Sequence, residues 1–132
     1  MEIQIKAIIE ILGKPKEHVE ETLKKVLNEL SERKGVTVLH KEVAETKELE
    51  KFFSTYVDLE LKLDELDNLI DFCFDFLPSS VEILKPEKIN MESHAFAEYM
   101  NDLLAKLHQH SMIIRNLHAE NIAMKEKLGE KN

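Results

Sequence analysis

One cysteine, three glycines, three prolines and no tryptophan occur in the 132 residues of this sequence. The lone Cys73 excludes an intramolecular disulfide and any zinc cluster built on cysteines. So few glycines leave no phosphate-cradling loop, and no nucleophile elbow is present either. Positive charge is scarce as well: 18 Lys and Arg stand against 26 Asp and Glu, a formal net charge of −8. Binding nucleic acid requires a basic face that neutralises phosphates, and no basic run supplies one. No apolar run approaches the ~18 residues of a membrane span. The opening MEIQIKAIIEIL alternates charge with isoleucine and lacks the unbroken apolar core of a signal peptide. These absences predict a cytoplasmic protein with no nucleic-acid or membrane partner. Cys73 lies in DFCFDF with nothing basic beside it to stabilise a thiolate, so a buried, inert thiol is expected.

What is present is periodicity. With 43% hydrophobic and 33% charged residues, the composition suits one globular domain and an appendage. Ile3, Ile5, Ala7, Ile9 and Ile11 alternate with polar residues and predict a strand over residues 3–12. GKP then makes a turn. Val19, Leu23, Val26, Leu27 and Leu30 recur at helical spacing to about Lys34, with Gly35 as the expected C-cap. VTVLHKEV, Val36 to Val43, reads as a second strand, and AETKELEK as a polar connection. From Phe53 to Leu63 the alternation is clearest: Thr55, Val57, Leu59 and Leu61 share one face, and Tyr56, Asp58, Glu60 and Lys62 the other.

Asp64 is the expected N-cap of a second helix whose apolar face is read as Leu66, Leu69, Ile70, Cys73, Phe74 and Leu77, stopped by Pro78. SVEIL, residues 80–84, predicts a last short strand, and Asn90 the cap of one long terminal helix. The order of the first six elements predicts an α+β fold of the ferredoxin-like βαββαβ type. Two helices would cover one face of a four-stranded antiparallel sheet over residues 1–89, and residues 90–132 would form the long helix. SVEILKPEKI also resembles the strand exit of the ferredoxin-like C-terminal extension in some WYL-type bacterial regulators, a resemblance confined to residues 80–89.

The stretch HQHSMIIRNLH, residues 108–118, holds three of the six histidines and tests whether this helix does chemistry. Two residues apart, His108 and His110 lie about 200° apart around a helix and cannot share a metal. The i, i+4 ligand spacing pairs only His94 with Glu98. No cofactor is expected. Counting apolar positions gives a different pattern. Phe96, Met100, Leu103, Leu107, His110, Ile114, Leu117, Asn121, Met124 and Leu128 are separated alternately by four and three residues, which is a heptad seam. Met100, Leu107, Ile114, Asn121 and Leu128 take the a positions, and His110 is a d residue. From Phe96 to Leu128 such a helix runs about 50 Å, more than a small domain covers. Its broader first half is expected to dock on its own domain and its second half to project.

Asp64, Asp67, Asp71 and Asp75 form a ladder along the second helix. It reads first as a solvated face and second as a candidate docking surface for a basic protein. The expected function is a non-enzymatic assembly or adaptor module that self-associates through the terminal helix, a dimer being favoured. The alternative is a small-ligand-sensing regulatory domain with a site at a dimer interface.

Overall fold

A computed structural model describes residues 1–130 of the chain. It divides into two compact units, Met1–Asn90 and a second beginning at Met91. The first unit contains β1 (Ile3–Gly13), α1 (Lys16–Glu32), β2 (Val36–Val43), β3 (Lys47–Glu48), β4 (Phe53–Leu63), α2 (Leu66–Phe76) and β5 (Ser80–Lys85). The second unit contains α3 (Ser93–Glu130). The fold is α+β. Its sheet is antiparallel and five-stranded, ordered β2-β4-β1-β5 with β3 also paired to β4.

Period-two alternation places the core. Ile3, Ile5, Ala7 and Ile9 of β1 stand directly opposite Leu63, Leu61, Leu59 and Val57 of β4, and all eight are buried. Both central strands thus turn one apolar face to the helices, and the other face carries Lys6, Asp58, Glu60 and Lys62. α1 closes over β1, β4 and β2, burying Val19, Leu23 and Leu30. The helix begins immediately after Pro15, whose carbonyl accepts the first amides, from His18 and Val19.

The sheet has one strand more than the four expected. β3 falls within AETKELEK, read as a connection, because the chain resumes pairing after a break at residues 44–46. Lys47 and Glu48 join Ser54 and Phe53, continuing the edge of β4 on which β2 ends. The tight return is closed by the Leu49 N–H donating to the Phe52 carbonyl at 2.7 Å.

Three helix ends differ from expectation. α1 ends at Glu32, and Gly35 is not its cap. It occupies the left-handed region at φ 83° in a turn closed by Val36 N–H on the Arg33 carbonyl at 3.4 Å. α2 is capped by Glu65 rather than Asp64, because the Asn68 side chain reaches back to accept the Glu65 N–H at 2.9 Å. α3 starts at Ser93 instead of beside Asn90, its first turn closed by Phe96 N–H on the Glu92 carbonyl at 3.0 Å.

The inward stripe of α2 is also rotated from the expected one. Phe72 is completely buried and Leu69 nearly so, with Leu66, Cys73 and Phe76 packed against the same core. Phe74 is half-buried, while Leu77 has left the helix in a left-handed conformation, 70% exposed. Apolar residues cover more than half the circumference of this short helix, so periodicity alone does not choose between neighbouring stripes. Packing against β4 makes the choice, and within the chosen stripe Phe72 and Phe76 stack at 5.6 Å.

Candidate functional site

Most of the predicted seam lies uncovered along α3. Ile114 is 63% exposed, Leu117 55% and Met124 63%. Phe96, Met100, Leu107 and Leu128 are exposed too, and Leu103 is half-buried. The interleaved polar positions His110 and Asn121 are likewise exposed. A single helix of 38 residues brings every member of the seam onto one element, so their spacing is rigid. His94 meets the partner its spacing offered, with Nε2 at 3.2 Å from Glu98 Oε1. Among the described residues no group of three or more His, Cys, Asp or Glu is placed to hold a metal ion. Among the same residues, no helix is long and apolar enough to cross a membrane.

The acidic ladder divides. Asp64 precedes α2, its N–H donating to the Gly35 carbonyl at 3.0 Å, and Asp67 sits in the first turn. Asp71 and Asp75 follow along the same helix. Asp75 is committed within the fold: its carboxylate pairs with Arg33, whose guanidinium lies 4.9 Å from the centre of the Phe76 ring. One cation thus ties the end of α1 to the last turn of α2 through both charge and ring face.

Cys73 packs against the core in the middle of α2. Burial pushes its thiol above the ordinary value, because the thiolate would lose hydration there.

On the open face of the sheet the register lines up His40, Glu60, Lys6 and Glu82 across four strands. Charges of both signs in one row favour a solvated surface. The next row sets Glu42 directly opposite Asp58, a like-charge pair that a buried interface would not tolerate without a cation.

A feature absent from the sequence reading lies on the helix side. α1 and the end of β2 diverge to leave an open cleft of about 510 Å³. Leu23, Leu27 and Val43 supply its apolar surface, and Lys16, Glu20, Lys24 and Glu45 its charged rim. Thr55, 2% exposed, borders it with its hydroxyl donating to the Ala44 carbonyl at 3.0 Å. Glu20 is shared between Lys16, at 4.0 Å, and the Thr46 hydroxyl, at 3.4 Å. Its walls come from residues far apart in the chain, and the only local signal was the polar break after Val43.

Residues 4–130 match the MJ0538 family. The chain belongs to that family. Uncharacterized protein MJ0538 of Methanocaldococcus jannaschii is 29% identical over 100 residues, covering 74% of this chain and 38% of that protein. The family member described here therefore spans less than two fifths of the length of that relative. No solved structure matches the chain. The family match reaches from β1 to the end of α3, so the head and the long helix both fall within it.

Proposed function

We propose that this chain is a non-enzymatic assembly module that joins a second copy of itself through α3. The observation that carries this is the apolar seam, which runs over more than four heptad repeats yet stays exposed on the helix. Apolar surface in so long and regular a stripe is stabilised most by a matching stripe. The second copy is favoured over an unrelated partner by charge as well as spacing. In a parallel pair Glu120 at g faces Lys125 at e of the mate, and Asn121 at a meets its own counterpart, where paired amides satisfy each other only in register.

The head is read as ferredoxin-like. The order β2-β4-β1-β5 supports this, with β3 counted as a continuation of the β2 edge and both helices on the buried face. Such a scaffold hosts many functions and adds none by itself.

Light scattering on the full chain, and on a chain ending near Leu107, tests the proposal. A dimer that weakens on truncation supports it. A full-length monomer at tens of micromolar overturns it, because a seam of this length should drive association well below that concentration.

A further inference from the structure

We infer that the cleft between α1 and the end of β2 is a binding site for a small zwitterion with an apolar body, the class of free apolar amino acids and dipeptides. The inference concerns the head alone and does not rest on the reading of α3. The cleft, at about 510 Å³, falls in the size range of small-molecule sites, which combine apolar surface with a few placed polar groups. Leu23 and Leu27 on one wall and Val43 on the other provide that surface.

The charges around it are unequal in their commitments. Lys16 and Glu20 form a loose ion pair at 4.0 Å. Lys24 and Glu45, also on the rim, enter no ion pair among the described residues. They come from opposite walls, one from α1 and one from the segment after β2. A ligand carrying a carboxylate and an ammonium answers both, the carboxylate to Lys24 and the ammonium to Glu45, with its side chain over Leu27 and Val43. A simple anion or cation would satisfy one and leave the other.

A break at residues 44–46 separates β2 from β3, and within it the Ala44 N–H donates to the Tyr56 carbonyl at 2.9 Å while the Ala44 carbonyl accepts from the Thr55 hydroxyl. The same break argues against the obvious competitor, an extended peptide adding to the sheet edge. Strand addition needs a continuous edge, but β2 is interrupted by an irregularity between Val38 and His40 and stops at Val43.

Calorimetric titration of the full chain with L-leucine and L-leucyl-L-leucine tests the site, alongside N-acetyl-L-leucine, which lacks the ammonium, and L-leucinamide, which lacks the carboxylate. The expected result is saturable binding of at least one zwitterion, weakened roughly tenfold or more by Lys24→Gln and by Glu45→Gln. Each capped analogue should bind as weakly as the corresponding variant binds leucine. Both substituted positions are exposed, so the variants should keep the wild-type circular dichroism and melting behaviour. Absence of binding by both zwitterions overturns the inference. So does binding that neither substitution alters, or binding in which the capped analogues match leucine.

Discussion

Gly35 and Asn68 occupy nearly the same space: a Cβ at Gly35 would lie 2.5 Å from Nδ2 of Asn68. Asn68 cannot withdraw without cost, because its Oδ1 accepts the Glu65 N–H that opens α2. Gly35 in turn holds a left-handed backbone that side chains disfavour. The turn between α1 and β2 is therefore pressed against the start of α2, and one missing methyl group lets the two join.

Gly35→Ala is expected to destabilise the head by about 2–4 kcal/mol, backbone strain and steric overlap together. Asn68→Ala alone should cost about 1 kcal/mol through loss of the cap. In the double variant the overlap disappears, so the combined loss should be smaller than the sum. Urea unfolding of the three variants measures this coupling, and strict additivity would show that Asn68 does not press on position 35.

Phe72→Ala should cost about 3–5 kcal/mol, the range for truncating a fully buried aromatic side chain. Phe74→Ala, at a half-buried position, should cost clearly less. The ranking is checked by chemical denaturation, and equal losses would mean that the inward stripe of α2 is broader than the structure shows.

Arg33 links the two helices through Asp75 and Phe76. Both partners of the ion pair are partly exposed, so solvent screening limits its contribution to roughly 0.5–1 kcal/mol. Arg33→Lys keeps the charge but loses the planar contact with the ring, and should recover only part of what Arg33→Ala loses. A double-mutant cycle with Asp75→Ala, repeated at high salt, separates the charge contribution, which salt should diminish, from the ring contact, which it should not.

Cys73 should react slowly with exposed-thiol reagents at neutral pH, since burial raises the proton affinity of its thiol. The same shift sets a direction for stability. At alkaline pH the unfolded chain releases this proton first, so the Cys73 contribution should fall as pH rises through the ordinary thiol range and level off above the raised folded value. Cys73→Ala should remove that slope; an unchanged slope would assign it to other groups.

His110→Leu replaces a polar d layer of the proposed seam with an apolar one and should strengthen the dimer. Asn121→Leu should strengthen association while relaxing register or copy number. Sedimentation velocity tests both, and association unchanged by Leu at position 110 would remove His110 from the seam.

Strand positions were legible because the pleat writes itself into sequence. Val36–Val43 and Phe53–Leu63 stand where alternation placed them, since a half-buried strand needs an apolar residue at every second position whatever lies above it. The helix α3 was legible for the same reason at a different period. Tertiary structure alone decided where local pattern was degenerate or silent. Phe72 rather than Phe74 enters the core because α2 is apolar on several sides and only its packing on β4 selects one. β3 exists because β4 offers an unpaired edge to a segment too short and polar to announce itself. Gly35 serves as a close-packing glycine, not a helix cap, because its neighbour Asn68 comes from another helix. The cleft has no sequence signature, since Leu27, Val43 and Thr55 become neighbours only when α1 lies across the sheet and diverges from its edge.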